Sequence, residues 1–434
     1  MSVLSSIIVV EGGGAMSTLS LKAMLNRKYI AKGKQTLCLL IEILANDMPL
    51  VSRRLPLNLS FVLDRSGSMT GEKLEYTKQA VRYALDHLTP EDKASIVVYD
   101  QEVQVLSEAG AVTYKDSLKG IISQVYPGGS TNLSGGMIQG YRQVMQHRKN
   151  GQVDRVLLLT DGLANVGVTD PALLAAKATS MRESGVSVTT IGVGADFNED
   201  LLTAIAEGSG GNYYYIDSPE RIPDIFTDEL KELLSVVGQN VEVAFKSAAG
   251  VKVNKVWGYK SKGDQVVEMA LPDLFASDRK ALMLEIEVKS AASGLRPLGT
   301  VRLTYDDAGG SMELTTCEVD LEVFCTDDQE LLSLPEEPEV SVQLELSKAA
   351  EDRNKALHLA DQGDVEAASG TIQASIDSIK CCLAMANDGM QPCLADEIDR
   401  LTRSKEKLQK GRYDKRARKE IAYESYQSRN ARKK

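Results

Sequence analysis

Between residues 57 and 237, short apolar runs alternate with amphipathic stretches of helical length. This alternation restricts the fold more than any other feature of the chain. The runs read "LNLSFVLD", "ASIVVYD", "DRVLLLTD", "VSVTTIGVG" and "NYYYI". "DRVLLLTD" is almost continuously apolar, the pattern of a strand buried on both faces. The first intervening stretch, Gly71 to Leu88, carries Leu74, Thr77, Val81, Ala84, Leu85 and Leu88 at helical spacing and is closed by Pro90. Further helices are expected over 133–147, 171–184, 199–207 and 219–236, with "EVQVL" as an edge hairpin strand. Strands that alternate with helices of this length predict an α/β fold with a doubly wound, mostly parallel sheet covered on both faces.

At about Gly238 the apolar period changes to two. Val241, Val243 and Phe245 alternate with polar residues, as do Leu282, Leu284, Ile286 and Val288, then Val301, Leu303 and Tyr305, then Val319, Leu321 and Val323. Half-buried antiparallel strands follow from that pattern, and a β-sandwich over 238–330 is their natural product. Residues 21–56, including "TLCLLIEIL", read as the N-terminal strands of the same sandwich, so the α/β domain of residues 57–237 is expected to be inserted in it. Residues 1–20 read as a flexible leader, with Met16 an alternative start. Residues 331–340, containing "SLPEEPEV", form a linker, and 341–434 form a C-terminal α-helical region with a basic tail. Breaks at "DQGD" and "NDGMQP" predict a helical hairpin plus a final helix.

Composition narrows the function. Of 434 residues, 43% are hydrophobic and 26% charged, so there is ample core material for several domains. A net charge of −11 argues against nucleic acid as a partner of the whole chain, save weakly through the basic C-terminus, and 5% aromatics argues against a base-stacking platform. No apolar run approaches the ~20 residues of a membrane span, and the expected location is cytoplasmic. The six cysteines (Cys38, Cys317, Cys325, Cys381, Cys382 and Cys393) form no CxxC pair, so zinc and redox motifs are absent.

The chemistry lies in three loops that follow or precede predicted elements. "FVLDRSGSMTG" offers Asp64, Ser66 and Ser68, "PGGSTNLSGG" offers Thr131 with Ser130 as an alternative, and "VLLLTDGLANVG" offers Asp161. If the strands are neighbours in one parallel sheet, these loops converge at one end. Carboxylates and hydroxyls suit a hard cation such as Mg²⁺, which takes oxygen ligands at about 2.1 Å and keeps several waters. In D-x-S-x-S, alternate residues of a tight loop can face a common centre, and Gly67 lets the backbone fold closely. Two carboxylates and three hydroxyls leave the ion much of its charge, so a partner's carboxylate can complete its shell. The bland reading of Asp64, Ser66 and Ser68 is a turn with a helix cap, where these residue types are favoured anyway. The other two segments weigh against it.

"DRSGSM", the Thr in "GGSTNLSGG" and the Asp in "LLTDG" together resemble the von Willebrand factor A domain. The resemblance implies a metal-ion-dependent adhesion site with Asp64, Ser66, Ser68, Thr131 and Asp161 as its ligand positions, favouring Thr131 over Ser130. It implies Mg²⁺, with Mn²⁺ or Ca²⁺ as alternatives, and a partner protein presenting Asp or Glu. A sandwich around such a domain resembles bacterial relatives of inter-α-trypsin inhibitor heavy chains and calcium-activated chloride channel regulators. Cytosolic domains of this type also work beside kinases, phosphatases or AAA ATPases, which are partner candidates by fold analogy alone.

The expected function is therefore a metal-dependent protein–protein adaptor and not an enzyme. A phosphoaspartyl hydrolase needs a second acid two residues after its nucleophile, and that position is Ser66. His87, His147 and His358 have no evident nucleophile partner, no GxxxxGK[ST] occurs, and "GVGADF" lacks the third glycine of a dinucleotide loop. The alternatives are a scaffold assembled through the C-terminal helices and a Mg²⁺-dependent hydrolase.

Overall fold

The computed structural model describes residues 7–11, 18–46, 54–149, 151–161, 164–194, 196–259, 261–290, 292–309, 313–383, 386, 389–408 and 413–429. The chain divides into two compact units. One comprises Met48–Asn240 with Leu271–Ala276, and the other comprises Met1–Asp47, Val241–Ala270 and Ser277–Lys434. Two of the four passages between them fall at Asn240 and Ser277, the described non-glycine residues with left-handed φ (52° and 65°).

The first unit is the α/β unit. Its strands are β1 (Leu57–Asp64), β2 (Lys93–Tyr99), β3 (Val103–Ala111), β4 (Val153–Thr160), β5 (Ser187–Val193) and β6 (Tyr213–Ile216). Its helices are α1 (Glu72–His87), α2 (Lys115–Ser123), α3 (Leu133–Gln146), α4 (Pro171–Glu183), α5 (Glu199–Ser209) and α6 (Ile222–Leu234). The sheet order is β6-β5-β4-β1-β2-β3. All pairings are parallel except β2–β3, which is antiparallel at the edge where "EVQVL" was expected. Every residue of β1, β4 and β5 is buried, so both faces of the central sheet are covered. Side chains such as Phe61, Leu63, Leu157 and Ile191 each contribute about 1.5–3 kcal/mol by leaving water. Helix α3 lies against β1, β2 and β4, while α1 contacts α6, β1 and β5. Helix α2 was not foreseen: it is nine residues long and contains Gly120, too little for a periodic signal.

The strand order reverses between β1 and β4. From β1 the chain proceeds to β2 and β3 on one side, then crosses to β4, β5 and β6 on the other. The carboxyl ends of β1 and β4 flank this reversal, the usual ligand position in open α/β sheets.

Leu271–Ala276 returns to this unit after an excursion of thirty residues in the other (Val241–Ala270). Leu274–Phe275 pairs with Val236 and Gly238, and Asp273 accepts hydrogen bonds from Arg155 Nη2 on β4 (2.7 Å) and Ser187 Oγ on β5 (3.3 Å). Arg155 is fully buried, and Asp273 nearly so. Burial pushes the Asp273 carboxyl upward, while Arg155 and Arg182 oppose the shift.

The second unit contains two β-sheets and a set of helices. One sheet runs in the order 7–11, 19–25, 33–45, 279–290, 251–257, with every pairing antiparallel. The other runs 261–262, 266–270, 236–247, 294–307, 314–325, 29–30. Strand 314–325 alternates buried and exposed residues and lies against strands 7–11 and 19–25 of the first sheet. A strand at Ile7–Glu11 thus stands where a flexible leader was expected, because it finds an antiparallel partner in Leu19–Leu25 that sequence cannot supply. The other leader residues, 1–6 and 12–17, lie outside the described residues, as does Met16. The expected linker is also shorter: a turn of helix α7 (Gln329–Leu332) precedes it, and α8 (Pro338–Asp361) starts inside it, with proline in its first turn.

Beyond α8 come α9 (Val365–Leu383), α10 (Gln391–Lys407) and α11 (Lys415–Arg429), one helix more than the expected hairpin plus a final helix. Asp414 caps α11 by accepting from the Ala417 backbone N–H at 2.8 Å, a start signal hidden in a basic run. Ala356, Leu357, Ile372, Ile376, Ile379, Leu394, Leu401 and Ile421 form the shared core of these helices.

Candidate metal centre

The first loop leaves β1 at Asp64, whose side chain is fully buried. Asp64 Oδ1 accepts the Ser66 backbone N–H at 2.8 Å, which turns the chain back toward the strand end. Its Oδ2 accepts the Thr160 hydroxyl from β4 at 2.6 Å. Ser66 Oγ lies 3.0 Å from Ser68 Oγ, and Ser68 Oγ donates to Asp161 Oδ1 at 2.8 Å. Asp161, one residue past β4, is also fully buried, whereas Ser68 is exposed. The β1 and β4 loops therefore meet through side-chain oxygens at the point where the strand order reverses.

The second loop abuts the first through its backbone. Gly67 N–H donates to Gly129 O at 2.7 Å and Gly128 N–H donates to Arg65 O at 2.6 Å. Two side chains occupy the space beside these glycines: a Cβ on Gly128 would stand 1.8 Å from Asp100 Oδ2, and one on Gly129 would stand 1.9 Å from Gln101 Oε1. Asp100 pairs with Arg65 Nε at 3.2 Å, which ties the end of β2 to the first loop. Thr131 is buried; its N–H donates to Asn165 Oδ1 (2.7 Å), and its carbonyl accepts from the N–H groups of Asn165 and Val166 (3.1 Å each). The second loop is thus held between the other two.

The protein compensates the two carboxylates of the centre unequally. Burial raises the Asp64 carboxyl to about 6, against the opposing pull of hydrogen bonds from Thr160 and Ser66. Lys73, in the first turn of α1, reaches Asp161 Oδ2 at 2.5 Å and Asp196 Oδ2 at 3.2 Å. Burial works against its charge, but those two carboxylates more than offset it and hold its pKa above the usual value. Among the described residues no group of three or more His, Cys, Asp and Glu side chains is placed to hold a metal ion, so no soft-metal or all-carboxylate cage is present among them. Two buried carboxylates beside serine hydroxyls fit a hard divalent cation, which would supply the positive charge that burial of Asp64 demands.

Residues 58–228 match the family model of the von Willebrand factor type A domain. These residues form a type A domain. The chain is 31% identical to the Escherichia coli protein YfbK over 227 residues, which is 52% of this chain and 38% of that protein. It is 28% identical to human inter-alpha-trypsin inhibitor heavy chain H4 over 198 residues, covering 42% of this chain and 21% of the relative. The chain thus spans well under half the length of either relative. A solved von Willebrand factor type A structure from Catenulispora acidiphila superposes with a TM-score of 0.72 at 18% identity, covering 93% of this chain and 96% of that one. The likeness extends the shared fold beyond the type A domain to the sandwich and the helices.

Of the five type A positions singled out by sequence, the structure links Asp64, Ser66, Ser68 and Asp161 in one hydrogen-bonded chain and holds Thr131 by its backbone in the adjoining loop. Thr160 is buried at the end of β4 and bonds Asp64. Sequence reasoning missed Lys73, Asp100 and Asn165. For Asn165 the signal was an Asx residue in a loop of "DGLANVG", where side chains commonly bond nearby backbone. Lys73 gave no signal beyond its place one turn into α1.

Proposed function

We propose that the type A domain binds a partner protein through a divalent cation, Mg²⁺ in the first instance, held by Asp64, Ser66, Ser68, Thr131 and Asp161. The observation that carries this reading is the convergence of Asp64, Ser66, Ser68 and Asp161 at the strand-order reversal, with Ser68 exposed at its mouth. A bound cation would present an open position to an Asp or Glu side chain of the partner. The protein's own residues orient and limit that event. Asp64 and Thr160 lock the loop to β4, Gly67 and Gly129 lock it to its neighbour, and the exposed "GGS" ridge of residues 128–130 borders the opening. Type A domains commonly mediate protein–protein contact, and the expected role is that of a cytoplasmic adaptor. Among the described residues no helix is long and apolar enough to cross a membrane.

A scaffold role driven by the C-terminal helices is less well supported, since their apolar residues pack upon one another. A hydrolase role lacks its general acid, because Ser66 stands two residues from Asp64. The test is a displayed peptide library selected on the full chain in Mg²⁺ and eluted with EDTA. The expected yield is Asp- or Glu-containing peptides that the Asp64→Ala chain fails to retain. Retention indifferent to both EDTA and the substitution overturns the proposal.

A further inference from the structure

Lys73 has no part in the ligand set, yet it bonds one of its members more closely than any serine does. Its ammonium lies 2.5 Å from Asp161 Oδ2, while Asp161 Oδ1 accepts from Ser68. An ammonium there neutralises a buried carboxylate that a cation would otherwise neutralise. Two positive charges on one carboxylate repel, and they do so strongly where water is scarce. The lysine has a second seat: Asp196 Oδ2 is 3.2 Å from the same nitrogen, on a side chain 57% exposed. Room for the stem is also built in. Gly194, just past β5, has φ +76°, and a Cβ on it would lie 2.8 Å from Lys73 Cε. The end of β5 is therefore kept bare where the lysine stem runs.

We propose that Lys73 is a tethered counter-ion of the metal-free centre, which must yield Asp161 to an arriving divalent cation and move its charge toward Asp196. The lysine then sets the cation concentration at which the domain becomes competent to bind. This rests on the metal-dependent reading above and adds to it a residue that works against loading. The opposite role is a static brace, in which Lys73 orients Asp161 and favours the metal.

Titration of the full chain with Mg²⁺ by calorimetry, and with Mn²⁺ by loss of the free-ion spin resonance signal, separates the two. Lys73→Met and Lys73→Gln remove the charge, Lys73→Arg keeps it, and Asp196→Asn removes the second seat. Thermal unfolding without metal checks that each variant folds. The expected result is tighter binding of both ions by Lys73→Met and Lys73→Gln, on the order of tenfold or more. Lys73→Arg is expected to stay near the parent, and Asp196→Asn to bind more weakly. A parent that takes up no metal beside a Lys73→Met chain that does would support the proposal most directly. If the parent binds and the neutral variants bind equally or less well, Lys73 is a brace: this proposal fails while the metal-dependent reading stands. If neither the parent nor the neutral variants bind either ion, both fail.

Discussion

At the residue scale, the centre depends as much on what is missing from side chains as on what is present. Gly128 leaves a gap that Asp100 fills, and a methyl group there would stand 1.8 Å from Asp100 Oδ2 and 2.8 Å from its Cγ. Asp100 is buried and pairs with Arg65, so it has little freedom to give way. Gly128→Ala is therefore expected to cost about 1–3 kcal/mol of stability and to weaken Mg²⁺ binding, read by denaturant unfolding and calorimetry. Gly120 is the control. It is exposed in α2 with nothing within 4 Å of an added Cβ, and Gly120→Ala is expected to stabilise by roughly 0.4–1 kcal/mol without touching metal binding. That these loops lie together was legible, because three oxygen-bearing segments each stand at the end of a predicted strand or the start of a predicted helix. Lys73 was not legible. A lysine in the first turn of a helix is ordinarily solvated, and only the packing of α1 beside β5 turns it toward Asp161.

At the scale of elements, legibility followed length. The strands and helices of the α/β unit that carry a long periodic or continuous apolar pattern were readable with small errors at their ends. Short pieces whose partners lie elsewhere, such as α2 and the strand Ile7–Glu11, were not. The C-terminal helices add a different lesson, because part of their packing is ionic. Arg353 on α8 is fully buried and donates to Glu397 on α10 at 2.7 Å, with Glu397 itself 5% exposed. A periodic pattern marks such positions as surface, so the pair is invisible to it. Glu397→Ala leaves a buried guanidinium without its carboxylate and is expected to cost ~3–5 kcal/mol, measured by chemical denaturation followed by circular dichroism. Replacing both partners by apolar residues, Arg353→Met with Glu397→Leu, is expected to restore most of that loss. A double variant no better than the single one would show that the deficit is not an unpaired charge.

At the scale of the whole molecule, the insertion of an α/β unit within a sandwich was legible from the change of apolar period near Gly238. Its second tie was not. "LPDLFA" at 271–276 is too short to declare a partner, and only three-dimensional pairing assigns it to the α/β unit. Its anchor is Asp273 on Arg155. Asp273→Ala is expected to destabilise the α/β unit by about 3–5 kcal/mol, seen as earlier loss of protection in hydrogen exchange along β4 and β5. Equal protection in the parent and the variant would show that the return segment is dispensable.

That second tie bears on how such a gene can be remodelled. The matched domain, residues 58–228, looks like a cassette that recombination could lift out and drop into another host. Here the cassette's foundation is completed by six residues encoded beyond a stretch that belongs to the host. A crossover placed at the C-terminal end of the recognisable domain would carry Arg155 away and leave Asp273 behind. A breakpoint that preserves this anchor leaves both codons on one side, so the insert and the short segment that completes it are inherited together.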